Sequence, residues 1–222
     1  TADGSISGFV NSETASFATT GTQTAVGSSA NTYSLVWDGT AAESDYTVKP
    51  TVGTLTVSEY AGQIVVTTTG GTHEYDGQTY GASVGVSALP AGYTLVIAMS
   101  NDTATHVADG TVTADCDTLV IRNAQGVDVT SKLNIRYDND TIKITPKDLI
   151  ITTPNASKTY DGTPLTAAGT MTGLVGTETA TFTTTGTQTA VGSSANTYTL
   201  VWNGTAAETD YTVRPTVGTL TV

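Results

Sequence analysis

Cysteine is nearly missing from this chain. Cys116 is the only one, so no intrachain disulfide can staple the fold. Charge is scarce too, at 13% of residues, about half the usual ~25%. What charge there is leans one way, with 20 acidic residues against 8 basic and a net of −12. Phosphate backbones and anionic headgroups repel such a surface, which argues against nucleic-acid binding and electrostatic membrane binding. No apolar run reaches the ~18 residues of a membrane-spanning helix, so no membrane insertion is expected of this segment. No signal peptide is visible and Thr1 is not a natural start, so the chain reads as part of a longer protein.

What is there is threonine, serine and asparagine, with 23 glycines. Threonine is β-branched and suits a strand with one wet face, and glycine suits the tight turns between strands. The composition points to an all-β protein.

The chain also repeats itself. Residues 13–57 align without gaps to 178–222 at a constant shift of 165, and six positions differ: Ser16/Thr181, Ala18/Thr183, Ser34/Thr199, Asp38/Asn203, Ser44/Thr209 and Lys49/Arg214. The match continues more loosely upstream, residues 1–4 against 166–169. A weaker copy lies between, where His73-Glu74-Tyr75-Asp76-Gly77 echoes Lys158-Thr159-Tyr160-Asp161-Gly162. The expected organisation is an incomplete A-type repeat at 1–57, a divergent B-type repeat at 58–145 and a complete A-type repeat at 146–222. The first repeat has no counterpart of 147–165. Without that strand it should show an open edge and an apolar groove, and be either poorly ordered or filled by a strand from elsewhere, as in a strand-swapped oligomer.

Within the last repeat, Leu149 and Ile151 alternate with polar residues as a first strand, and Tyr160-Asp161-Gly162-Thr163-Pro164 reads as a turn. Tyr198, Leu200 and Trp202 share one strand face. Asn203-Gly204, with Asp38-Gly39 as its twin, is the sequence of a two-residue hairpin. Residues 206–208 suggest a helical turn. Six or seven short strands per repeat predict tandem immunoglobulin-like β-sandwiches, with β-grasp-like modules as the alternative. The middle repeat follows the same plan, with Tyr93, Leu95, Ile97 and Met99 alternating. Short linkers predict a stiff, elongated array on the order of 100 Å, at ~3.3 Å per strand residue.

Three stretches of the last repeat, taken in order, resemble the YDG/MBG-type repeats of bacterial, Firmicutes-like cell-surface proteins. They are residues 158–165 (Lys-Thr-Tyr-Asp-Gly-Thr-Pro-Leu), 186–192 and 198–206. The resemblance spans the last repeat and the corresponding parts of the first, and is loose in the middle one. It implies a cell-surface or cell-wall location, a structural or adhesive spacer role, and no catalytic residues.

Candidate chemistry is thin. His73 and His106 are the only histidines and lack partners at metal-ligand spacing, so both read as surface or turn residues. Asp109, Asp115, Asp117, Asp138 and Asp140 are oxygen-rich but form no calcium-loop motif, and read as solvated turns. Cys116 reads as a structural thiol. Trp37 and Trp202, with Tyr33 and Tyr198, could make a sugar platform, yet they share a face with Leu35 and Leu200 and read as core. The Lys49/Arg214 exchange argues against an isopeptide crosslink there, because arginine cannot form one. The A-type repeat contains no histidine at all. The expectation is therefore no enzyme, no catalytic, cofactor or metal site, and a stalk or spacer for adhesion or display. Its partners would be neighbouring repeats. The alternatives are a middle repeat that recognises a glycan or host protein, and an accessory region of a large secreted enzyme.

Overall fold

The computed structural model describes residues 1–222. The protein is all-β: short strands joined by loops and four 3-10 turns, with no α-helix. No helix is long and apolar enough to cross a membrane. By contacts the chain divides into two compact units. One is Thr1–Gln63, Leu89–Leu95 and Ile121–Asn134; the other is Ile64–Ala88, Val96–Val120 and Ile135–Val222. The units do not follow the repeat boundaries.

The last repeat lies wholly in the second unit. Its first strand, Lys147–Thr152, sits between two others, antiparallel to Thr170–Thr172 and parallel to Tyr211–Thr216. The chain breaks at Pro154, where proline cannot donate to a ladder. It resumes as Ala156–Ser157, still parallel to the end of the repeat. Lys147 faces Tyr211 and Ala156 faces Leu220, so one register runs through both halves. The alternation read from the sequence is realised: Leu149 and Ile151 are fully buried while Ile150 between them is 42% exposed. The other strand of this layer pair, Ser193–Ala195, runs antiparallel to Thr219–Thr221. A separate hairpin joins Thr181–Thr184 to Tyr198–Val201.

Nothing in the residue pattern announces the parallel ladder, and the expected two-residue hairpin at Asn203-Gly204 does not form. Tyr198–Val201 pairs back to Thr181–Thr184 and not forward. Gly204 serves close approach instead, since a β-carbon there would stand 2.1 Å from the Thr179 carbonyl oxygen. The Asn203 side chain accepts a hydrogen bond from the Thr181 hydroxyl, as Asp38 does from Ser16. The chain then makes the expected helical turn, a 3-10 turn at Glu208–Asp210. The turn at 160–164 is present. Gly162 takes φ 75°, and Asp161 accepts from the Thr163 N–H and hydroxyl and from Lys158. That ring of donors, the Lys158 ammonium foremost, holds the exposed Asp161 carboxyl well below its ordinary range.

The middle repeat has the same sheet plan, including a parallel pairing of Gly71–Glu74 with Asp140–Thr145. One expected core face is on the surface, however: Leu95, Ile97 and Met99 of Tyr93–Met99 are each 36–40% exposed. Alternation reports which residues share a face, not whether anything covers it.

In the first repeat two pairings survive in the same register, Ser16–Thr19 with Tyr33–Val36 and Gly27–Ala30 with Thr54–Val57. Phe17 faces Leu35, as Phe182 faces Leu200. The parallel ladder is absent. Residues 5–7 and 46–51, the counterparts of its two flanking strands, form no strand.

Candidate functional site: the joint between the middle and last repeats

The most built-up constellation in the second unit lies where the middle repeat meets the last. Its floor is one continuous apolar cluster. Tyr75, Ala104, Ala114, Ile142 and Ile144 come from the middle repeat, and Leu149, Ala206 and Tyr211 from the last, all buried. Asp140–Thr145 and Lys147–Thr152 are nearly one strand, so the core crosses the repeat boundary without a linker.

A polar clamp sits on that floor. Asp210 is fully buried at the end of the 3-10 turn. Its carboxylate accepts the backbone N–H of Val107 at 2.8 Å and meets His106 Nδ1 at 2.7 Å, both from the middle repeat. A buried carboxylate needs such partners, because burying it bare costs far more than the pairing returns. Glu178 accepts the hydroxyls of Tyr75 and Tyr211, one from each repeat. Burial, then the hydrogen bond to Glu178, pushes both phenols upward, Tyr211 to about 12. The two rings meet edge to face at 5.6 Å, and Trp202 stacks on Tyr211 at 5.7 Å. At the rim Lys147 pairs with Glu74 at 3.0 Å.

His106 heads the 3-10 turn Val107–Asp109, in line with its reading as a surface or turn residue, and it also meets Asp210 across the joint. Its role depends on Asp210, 104 positions away, and no local pattern could carry that. His73 stacks on Tyr80 with centroids 3.7 Å apart. The aspartates are engaged with protein donors. Asp109 accepts the N–H groups of Thr105 and His106, Asp117 that of Asn101, and Asp140 that of Gly70. Asp138 pairs with Arg136, and Asp115 accepts from Asn139. No three of these acidic groups gather with His or Cys as a metal cluster would require. Cys116 is half-buried, and burial pushes its thiol up, away from the reactive thiolate. Trp202 packs on the core as expected. Arg214 pairs with Asp148 at 3.0 Å.

The clamp has a pH signature. The Asp210 carboxylate holds the His106 pKa above its ordinary 6.5 in the folded protein. Asp109 and Glu178 add to this and partial burial opposes it. A histidine raised on folding stabilises fully below its unfolded pKa and loses that contribution as pH rises through the folded one. The melting temperature of the second unit is expected to fall as pH rises through and above neutrality. In His106→Ala that slope should flatten. An unchanged slope in the variant would remove His106 from the clamp.

No curated protein and no solved structure matches the chain. Residues 149–221, which are the last repeat with its first strand, parallel ladder and 3-10 turn, match the family model of the MBG domain (YGX type).

Proposed function

We propose that this chain is a non-catalytic repeat region of a bacterial surface protein, a stalk or spacer that holds an adhesive or displayed part away from the cell. One observation carries the reading. In the last repeat the entering strand, Lys147–Thr152, and the leaving strands, Tyr211–Thr216 and Thr219–Thr221, run parallel. A pull on the two ends of the repeat drags these strands past each other along their length. All the ladder bonds then bear the load together, whereas a hairpin pulled open breaks one bond at a time. The middle repeat has the same device in Gly71–Glu74 and Asp140–Thr145. A segment that transmits force gains from that topology. The match to the MBG domain and the acidic, threonine-rich surface support the same reading.

Single-molecule pulling of the full chain from its ends tests it. The last repeat should give a high-force event that releases about 270 Å of chain, at ~3.6 Å per residue. The first repeat, which has no such ladder, should yield at the lowest force. A low-force release of the last repeat would contradict the proposal.

A second reading, recognition of a glycan or host protein by the middle repeat, draws on the exposed Leu95, Val96, Ile97 and Met99 of Tyr93–Met99. Binding of the full chain to a glycan array, abolished by Ile97→Asp, would favour it.

A further inference from the structure

Asn203-Gly204 is the only Asn-Gly step in the chain, and at the twin position the first repeat carries Asp38-Gly39. Both residues of the step are exposed, just past the strand Tyr198–Val201. The Asn203 side-chain oxygen accepts the Thr181 hydroxyl at 2.8 Å. The Gly204 N–H and the Asn203 side-chain NH2 donate to no protein group. The backbone nitrogen that could attack the side-chain amide and the amine that could leave it are therefore both free. Residue 204 has no β-carbon to shield its nitrogen, and none fits there, since it would stand 2.1 Å from the Thr179 carbonyl oxygen.

The first repeat shows what an aspartate does in this place. The Asp38 carboxylate accepts the N–H and the hydroxyl of Ser16, at 3.1 and 2.8 Å. The Ser16 hydroxyl above all holds the Asp38 carboxyl below its ordinary range. The surroundings are otherwise the same. Ser16 faces Val36 as Thr181 faces Val201, and Gly39 approaches the Thr14 carbonyl as Gly204 approaches that of Thr179. A carboxylate at position 203 would have the Thr181 N–H within reach as well as the hydroxyl.

We propose that Asn203 is a self-modification site, which deamidates in the folded protein to aspartate and so reproduces the contact made by Asp38. The Gly204 nitrogen gives its proton to solvent base and attacks Asn203 Cγ. The Cγ–Nδ2 bond breaks and ammonia leaves, closing a cyclic imide. Water then adds to the imide and opens it to a carboxylate. Nothing is oxidised or reduced, and water is the only co-reactant. The Thr181 hydroxyl stabilises the charge that develops on the side-chain oxygen during attack. Opening to isoaspartate would lengthen the backbone directly ahead of Gly204, where the Thr179 carbonyl leaves no slack, so the fold directs the imide toward aspartate. The change is one-way and adds one negative charge. It is independent of the load-bearing reading, since it needs only the local geometry of residues 179–204.

The full chain is incubated at mildly alkaline pH and mapped by fragmentation that separates aspartate from isoaspartate. Conversion is expected at Asn203, faster as pH rises, with aspartate the main product. Asn123, which precedes alanine, and fully buried Asn196 should stay intact. A synthetic peptide of residues 198–208, without the fold, should give a larger share of isoaspartate. Thr181→Val should slow the reaction about three- to tenfold, and Thr181→Ser, the residue of the twin, should restore it. Asn203→Asp, the product, should melt no lower than the native sequence. An Asn203 that stays intact in the folded chain while the peptide converts would overturn the site. So would equal conversion at Asn123, isoaspartate as the main product of the folded chain, a rate indifferent to Thr181→Val, or a lower melting temperature for Asn203→Asp.

Discussion

Leu149→Ala is expected to lower the stability of the second unit by about 3–4 kcal/mol. The side chain is fully buried, it belongs to the cluster shared by two repeats, and it sits in the central strand of its sheet. Deleting a buried leucine costs the transfer free energy of its methyls plus a term for the cavity left behind. Both should be near their upper values here, because strands flank Lys147–Thr152 on either side and leave little room for collapse. Urea denaturation of the full chain in a Trp37→Phe background, followed by Trp202 fluorescence, reads the loss directly. A cost below ~1 kcal/mol would mean that the first strand of the repeat is peripheral to its fold. The same substitution bears on the joint, since Leu149 packs in one cluster with Tyr75, Ile142 and Ile144 of the middle repeat.

Trp202→Ala should cost about 3 kcal/mol, the usual consequence of removing a large aromatic from a packed site. Trp202 stacks on Tyr211 and borders the buried cluster. Its twin Trp37 has the same neighbour chemistry, stacking on Tyr46 at 5.7 Å, but it lines the open groove. Trp37→Ala is therefore expected to cost markedly less, about 1 kcal/mol, because the groove already leaves one side of the ring without partners. Amide exchange in Tyr211–Thr216 and in residues 46–51 compares the two within one chain. Equal costs would mean that the groove is closed in solution. A small cost at both would return weight to the rings as an exposed platform for sugars.

Much of the architecture is legible in the residues. Repetition of 13–57 at 178–222 organises the chain, and strand content follows from alternation such as Leu149/Ile151 and Tyr198/Leu200. Pairing is not. Alternation names a face without naming a neighbour, so the parallel ladder between 147–157 and 211–221 leaves no mark in either segment alone. Asn203-Gly204 misleads because glycine answers two demands, positive φ and close approach, and here the Thr179 carbonyl sets the second. The joint is hidden for a different reason. His106 and Asp210 are 104 positions apart and Tyr75 and Glu178 are 103 apart, and only the fold brings them together. Where the sequence does bear on the joint, it is through Glu178 and Tyr211 recurring as Glu13 and Tyr46, which also pair with each other.

The claim that matters most to a spacer role is that the second unit, which holds strands of both the middle and the last repeat, is one stiff body. Electron–electron distance measurement on the full chain tests it, with Cys116→Ser removing the native thiol. Spin labels are placed at exposed Thr113 in the middle repeat and exposed Thr199 in the last. A single narrow distance distribution is expected, and Asp210→Ala combined with Tyr75→Ala should broaden it. A broad or multimodal distribution in the native sequence would show that the strands of the two repeats swing freely within the second unit, and would contradict the account.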